Sequence, residues 1–248
     1  MEKIATKGRP SLDLSIVLPC FNEQEAIPLV IARLRASAQD LQHRGMVGKF
    51  EILVVDDAST DSSRELLLQE RDLKLIFHPE RRGYGRALKS GISAAKGDWI
   101  IFFDLDGTYD SQDLPSLVPE GGGIDFILGD RLSEGKGMPA LRRVGNHAFS
   151  FLVRFLFQKN IKDVCSGARG FHASWSKRIL NLPNEGLDFS LALTIYAFSN
   201  GAAYLENPIR YHTRRGRSKL SVSADGVRFL FTILSHRVRR EAIHQHHS

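Results

Sequence analysis

The stretch Trp99-Ile100-Ile101-Phe102-Phe103-Asp104-Leu105-Asp106 decides how this chain is read. Five apolar residues in a row read as a buried strand, and the run ends abruptly in two carboxylates one residue apart. Side chains at i and i+2 of a strand point to the same side. Asp104 and Asp106 therefore converge at the strand's carboxyl end, where they suit one hard divalent cation. Mg²⁺ takes one or two protein carboxylates and completes its shell with water and substrate phosphates, so the implied cargo is a diphosphate. Asp106-Gly107 is also common turn chemistry, and the rest of the chain has to decide between the two.

Working back from that strand, apolar runs alternate with helical patterns. Strands are expected at Leu14–Leu18, Phe50–Val55, Leu73–Phe77, Trp99–Phe103 and Asp125–Leu128. Helices are expected at Glu23–Gln42, Asp61–Arg71, Arg86–Ala95 and Asp113–Val118, the first with Ile27, Ile31, Leu34, Ala38 and Leu41 on one face. Near-continuous apolar strands alternating with helices indicate a mostly parallel α/β sheet covered on both faces. Such sheets bind ligands at the carboxyl ends of their strands. Strand one ends in Pro19-Cys20-Phe21-Asn22-Glu23, strand two in Asp56-Asp57-Ala58-Ser59-Thr60-Asp61, and strand four in Asp104-Leu105-Asp106. Random surface polarity would not choose one edge three times. Asp61 reads as a helix cap; Asp57, Asp104 and Asp106 read as ligand contacts. No G-x-G-x-x-G follows strand one and no G-x-x-x-x-G-K-[ST] occurs, which disfavours a dinucleotide-binding dehydrogenase and a P-loop enzyme.

The 248 residues carry a net charge of +6, unevenly placed. Residues 1–129 hold 15 Lys/Arg against 20 Asp/Glu, and residues 130–248 hold 19 against 8. A basic second half suits an anionic partner such as phosphates or a membrane surface. No nucleic-acid motif accompanies it. Cys20 and Cys165 lack metal-ligand spacing and suggest a reducing compartment without a disulfide framework. No secretory signal is read at Met1–Leu14, and no run approaches the ~20 apolar residues of a membrane span. The expectation is a soluble or peripheral protein, and His244, His246 and His247 read as a tail.

With these residues in view, the chain resembles the inverting family 2 glycosyltransferases, and within them the dolichol-phosphate mannosyltransferases and their bacterial polyprenyl-phosphate relatives. The matching segments are Ser15–Glu23, Val54–Asp61, Asp104–Tyr109, Gly129-Asp130-Arg131, Ser166-Gly167-Ala168-Arg169 and Arg214–Leu220, spread over residues 12–235. The resemblance implies a GT-A (Rossmann-like) fold and a nucleotide-diphosphate sugar held through an Asp-x-Asp metal. It implies that Pro19, Phe21, Glu23, Val55 and Asp57 hold the base and ribose. It implies that Asp104 and Asp106 hold Mg²⁺ or Mn²⁺ against the diphosphate, with Leu105 and Thr108 beside them. Arg131, Arg214 and Lys219 match cationic positions around the phosphates, and Arg142, Arg169 and Arg215 add further charge. Thr108 stands where some mannosyltransferases of the group carry Gln, and Cys20 where Thr or a similar small residue is frequent.

A hydroxyl acceptor would need a general base near its proton. A lipid phosphate is already anionic near neutral pH, its second pKa being about 6; it needs cations instead, and arginine forks suit phosphate oxygens. Pro139–Lys159 and Ala224–Arg240 interleave Phe, Leu and Ile with Arg and Lys, as an interfacial helix does. Packing of those aromatics onto the sheet is the competing reading. The expected organisation is a catalytic domain over 12–222 and a basic amphipathic helix with tail over 223–248. The expected activity is transfer of a hexose, from a GDP-mannose or UDP-glucose type donor, to a polyprenyl or dolichyl phosphate with inversion. It is expected on the cytoplasmic, inner face of the membrane, held by the surface or by a membrane-protein partner. The alternatives are a soluble transferase to a hydroxyl, with Asp188 as its base, and a non-enzymatic binder of anionic membranes.

Overall fold

The computed structural model describes residues 12–134, 137–215 and 222–245. Lys219 and the last two of the tail histidines lie outside the described residues. A seven-stranded sheet runs in the order β3-β2-β1-β4-β6-β5-β7. Its strands are β1 (Leu14–Cys20), β2 (Phe50–Asp56), β3 (Leu73–Phe77), β4 (Trp99–Phe102), β5 (Phe126–Asp130), β6 (Arg169–His172) and β7 (Tyr204–Pro208). Helices α1 (Ile27–His43), α2 (Ser63–Gln69), α3 (Tyr84–Ala94), α4 (Ala140–Phe157), α5 (Ser176–Leu180), α6 (Phe189–Ser199) and α7 (Val222–Gln245) complete the chain.

The central strands β1, β4 and β5 are buried on both faces because alternate residues feed different cores, whereas the edge strands β3 and β7 are partly exposed. In β4, Trp99 and Ile101 join the cluster under α1, while Ile100 and Phe102 join the one that holds Leu88 of α3 and Phe189 of α6. In β1, Leu14, Ile16 and Leu18 face the first and Val17 the second. A third cluster joins Val153 and Phe157 of α4 to Ile195 of α6 and to Phe229 and Ile233 of α7. The first half of α7 is thus built into the body of the fold. Its N-terminal boundary falls at Val222, and Pro139–Lys159 resolves into one helix.

Three differences from the sequence reading have physical causes. α1 starts at Ile27 and not at Glu23, because Pro28 has no N–H to give and is tolerated only in the first turn. Asp113–Val118 is a 3₁₀ segment, Ser111–Leu117, with Pro115 inside it. β6 was not anticipated, and it is the one antiparallel member of an otherwise parallel sheet, pairing with β4 and β5. Its Arg-Gly-Phe-His sequence has neither an apolar run nor an alternation to mark it. Pro208 lies on the edge strand β7, where a missing donor is harmless.

This topology collects the functional segments at one edge. β1, β2 and β4 run parallel, as do β5 and β7. Reversal at β6 brings its first residues, next to Ser166 and Gly167, to the same edge as the ends of β1, β2, β4 and β5.

Phe102 ties the acidic turn to the core. Its ring is fully buried, 5.3 Å from that of Phe171 and 6.3 Å from that of Phe189. Phe102→Ala is expected to lower unfolding free energy by about 3–5 kcal/mol in a denaturant titration. A loss below about 1 kcal/mol would show that β4 is not anchored in this way.

Candidate functional site

A cavity of about 490 Å³ opens at this edge, within the usual range for ligand sites. At one end the tips of β1 and β2 are laced together. Asn22 and Ala58 both adopt left-handed backbone (φ 54° and 59°), a conformation that costs energy outside glycine. Asn22 Oδ1 accepts from the Thr60 N–H at 2.7 Å, and Ser59 Oγ accepts from the Asn22 N–H at 2.9 Å. Asp57 draws in the segment after β3: it accepts from the N–H groups of Arg82 and Gly83, both at 2.8 Å, and lies 2.7 Å from His78 Nδ1. The Asp57 carboxylate thus organises a loop as well as lining the cavity. Phe21 also lines it, with the Arg81 guanidinium 4.1 Å above its ring. Asp61 accepts from the Ser63 N–H at 2.9 Å, one residue ahead of the N-cap position, which is Ser62 and has no side-chain cap bond.

The two carboxylates after β4 both line the cavity. Asp104 Oδ1 accepts from the Tyr84 hydroxyl at 2.9 Å. Burial, and then the charge of Asp106, pushes the Asp104 carboxyl up to about 7. Gly167 keeps the other oxygen clear, because a Cβ there would stand 2.5 Å from Asp104 Oδ2. Asp106 Oδ1 accepts from the N–H and the hydroxyl of Thr108, at 2.9 and 2.6 Å. Its Oδ2 is 2.8 Å from Arg214 Nη1, and the same guanidinium bonds Glu23 through Nη2. Arg214 is delivered there by backbone pairing: Thr108 O accepts from the His212 N–H at 2.7 Å, and Asp106 O from the Arg215 N–H at 3.1 Å. The Nε of Arg214 is buried without a partner.

Hard carboxylate oxygens facing one space, offset at Asp106 by a guanidinium, are a donor set that fits a divalent cation. Among the described residues no three His, Cys, Asp or Glu side chains converge on one point. A cation here would complete its shell with phosphate and water, as Mg²⁺ commonly does.

The predicted cations divide. Arg131 lines the cavity and is held bidentately by Asp163, at 2.6 and 2.9 Å. Burial works against its charge, but Asp163, by charge and hydrogen bond, together with Tyr109 and Tyr211 more than offsets burial and raises its pKa. Arg142 and Arg214 also line the cavity. Arg169 does not reach it. It is 1 % exposed and donates to Ser166 O, Ser190 O and, at 2.6 Å, Thr194 Oγ1. Its place is under the site, holding the backbone beside Gly167, so direct contact with a ligand in the cavity is corrected. Val55 is fully buried within β2 and is likewise removed from the wall. Arg215 is exposed and leans over Gly107. Pro19, Glu23, Leu105 and Thr108 are on the wall. Asp188 does not cap α6 with its side chain; it accepts from Asn184 and, at 3.2 Å, from Thr232 of α7. Both cysteines are free, their thiols pushed up to about 12 by burial.

Sequence reasoning missed Tyr84, Asp163 and Tyr211 as parts of the site. Tyr84 lies in a Gly-Tyr-Gly fragment that matched no motif, and Asp163 and Tyr211 lie in segments of ordinary composition.

The family model described as "Glycosyl transferase family 2" matches residues 15–180. Similar curated proteins include the low-salt glycan biosynthesis hexosyltransferase Agl6 of Haloferax volcanii, 31% identical over 88% of this chain. This chain spans only 52% of that protein's length. The dolichyl-phosphate hexose transferase of the same organism is 32% identical over 86% of this chain and 89% of its own. The polyprenol monophosphomannose synthase of Mycolicibacterium smegmatis is 28% identical over 87% of this chain and 83% of its own. Among solved structures, glucosyl-3-phosphoglycerate synthase from Mycobacterium tuberculosis, in complex with Mn²⁺, UDP and phosphoglyceric acid, superposes with a TM-score of 0.71. That match covers 91% of this chain and 78% of the other at 23% identity, and it shows a shared GT-A fold.

The raised pKa of Asp104 has a definite sign. A carboxyl whose pKa rises on folding from its ordinary ~3.9 favours the folded state while protonated, and that stability is lost as pH climbs from about 4 to about 7. Asn keeps an acceptor for the Tyr84 hydroxyl and cannot ionise. Metal-free Asp104→Asn is therefore expected to melt higher than the parent protein at about pH 8, with the gap narrowing towards pH 5 in thermal unfolding. A variant that melts lower at pH 8 would contradict the electrostatic picture.

Proposed function

The chain belongs to glycosyl transferase family 2 and is a glycosyltransferase, and on that premise we propose that it moves a hexose from a nucleotide diphosphate sugar to a polyprenyl phosphate, with inversion and with the help of a divalent cation. One observation carries the reading: a single cavity joins the carboxylate pair and its arginines to a cleft between α4 and α7, where Leu141, Phe149 and Phe229 stand beside Arg142, Asn146, Asp225 and Arg228. The names of the two relatives that act on dolichyl and polyprenol phosphates support the same acceptor class.

Each wall of the cavity has a role in this reaction. Phe21 and Asp57 flank the space for base and ribose, an apolar ring beside a carboxylate that only accepts hydrogen bonds. Asp104 and Asp106 would hold the cation, which neutralises charge developing on the departing diphosphate without proton transfer. Arg214 spans Glu23 and Asp106 across the same carboxylates, and donor binding redirects its guanidinium to phosphate oxygens. Arg131 and Arg142 offset the repulsion between two phosphate-bearing substrates. An acceptor phosphate oxygen attacks the anomeric carbon while the bond from that carbon to the diphosphate oxygen breaks on the opposite side. One displacement inverts the centre. No base is required, because the attacking oxygen is already ionised. The competing hydroxyl acceptor is disfavoured by Asp188, whose carboxylate is engaged by Asn184 and Thr232.

The acceptor's location suits the outer faces of α4 and α7. Leu141, Val144, Phe151 and Phe155 of α4 and Val227 and Phe231 of α7 are all exposed, with Arg143, Arg154 and Arg228 exposed among them. No helix among the described residues is long and apolar enough to cross a membrane. An apolar face set among arginines fits peripheral docking on an anionic leaflet, where each cation contributes about 1 kcal/mol, on the inner face expected from the sequence.

With Mn²⁺ and a radiolabelled donor from a GDP- and UDP-sugar panel, label is expected in organic-extractable lipid. Asp104→Ala and Asp106→Ala should each reduce that incorporation at least about a hundredfold, in the range found when a group stabilising transition-state charge is removed. Label confined to the aqueous phase would point to a hydroxyl acceptor, and undiminished activity in both variants would end the metal assignment. In vesicle flotation, the protein should rise with phosphatidylglycerol vesicles. Phe151→Glu/Phe155→Glu should leave it at the bottom; equal flotation of that variant would exclude this face.

A further inference from the structure

His78 is a buried side chain that lies behind Asp57, 5 % exposed and off the cavity wall. Three elements place it. It follows β3, and its backbone N–H donates to Asp56 O at 2.9 Å, extending the pairing with β2. Its Nδ1 is 2.7 Å from Asp57 Oδ1, and its Nε2 is 2.9 Å from Ser90 Oγ of α3. A carboxylate only accepts, so Nδ1 carries the proton and donates. In the neutral ring Nε2 then accepts from the Ser90 hydroxyl.

The histidine matters through the acceptor sites that Asp57 has left. The two oxygens of a carboxylate offer about four. Oδ1 accepts from the Arg82 N–H at 2.8 Å and from His78, so both of its sites are taken. Oδ2 accepts from the Gly83 N–H at 2.8 Å. Among the described residues, that leaves one site on a carboxylate that lines the cavity. The two backbone donors are held in place. Their loop is fastened on its far side, where Glu185 O accepts from the N–H groups of Gly85 and Arg86 at 2.8 and 3.2 Å. Gly83 itself has a φ of 99°, in the region that favours glycine.

We propose that His78 is a positioning residue that sets the donor's base: by filling Oδ1 it leaves Asp57 able to accept one further N–H, which selects a uridine diphosphate sugar over a guanosine one. The inference rests on the nucleotide-sugar reading above and adds which base that site takes. Uracil offers a single ring N–H between two carbonyl oxygens. Guanine offers a ring N–H and an amino N–H side by side, a pair that matches a carboxylate only when each oxygen has a site free. Here the amino group meets a filled Oδ1, and a buried donor left unpaired is unfavourable. The Arg81 guanidinium, 4.1 Å above the Phe21 ring on the same wall, has N–H donors for a uracil carbonyl.

The test is calorimetric titration of UDP, GDP and inosine diphosphate (IDP) into the full chain with Mn²⁺. IDP keeps guanine's two rings and its ring N–H and lacks only the amino group, so it separates donor count from base size. UDP and IDP should each bind at least about tenfold more tightly than GDP. His78→Leu removes the donor to Oδ1 and should bring IDP and GDP to within about threefold of each other. His78→Asn, whose amide nitrogen stands at the same remove from Cβ as Nδ1, should restore the parent ratio. Ser90→Ala, which frees the ring without touching Asp57, should move the ratio in the direction of His78→Leu by less. A parent that binds GDP as tightly as UDP or IDP, or a ratio unchanged in both His78→Leu and Ser90→Ala, would overturn the proposal. A parent that binds none of the three would overturn the nucleotide-sugar reading itself, an outcome distinct from any change of ratio.

Discussion

Like charges brought together at the end of a buried strand govern the architecture of this site. Asp104 and Asp106 share one face of the turn after β4, and the fold does little to dilute their repulsion. Tyr84 donates to one and Thr108 to the other, but the cation that reaches Asp106 is a guanidinium shared with Glu23. The strain is visible in the carboxyl of Asp104, pushed up to about 7 by burial and by its neighbour. Such an arrangement is poor for a structural turn. It is well suited to a site completed by a divalent cation and a diphosphate, which together neutralise what the chain leaves exposed.

The second half of the chain answers this acidic edge in layers. Arg131 is pinned by Asp163 and faces the cavity, whereas Arg169 is sunk beneath it with only neutral oxygens as partners. A buried guanidinium without a carboxylate is costly, and burial accordingly lowers its pKa. What Arg169 secures is the backbone on either side of the site: Ser166 at the approach to β6 and Ser190 in α6. Gly167, next to Ser166, is thereby held against Asp104 without a side chain to obstruct it.

Much of this was legible in the sequence because it is written in local periodicity. The apolar runs of β1, β2 and β4 give the parallel half of the sheet, and parallel strands force their acidic ends onto one edge. α1 was visible through Ile27, Ile31, Leu34, Ala38 and Leu41, all of them buried. What stayed hidden depends on non-local pairing. β6 has no pattern of its own and exists because β4 and β5 offer it partners. Asp163 becomes the mate of Arg131 only after the chain has travelled through α4 and back. Arg169 looked like a ligand contact because charge in a basic half suggests a surface, yet the three acceptors that hold it come from the approach to β6 and from α6. The open cleft between α4 and α7 is legible only once the helices meet at Phe149 and Phe229.

In the proposed reaction the carboxylate pair holds a divalent cation shared with a nucleoside diphosphate. Titration of Mn²⁺ into the protein, followed by the loss of free-ion electron paramagnetic resonance signal, tests it without any turnover. With UDP or GDP present, one Mn²⁺ per chain is expected to bind at least about tenfold more tightly than without, and the Asp104→Ala/Asp106→Ala double variant should lose that site. Tight Mn²⁺ binding that ignores both the nucleotide and the two substitutions would contradict the account.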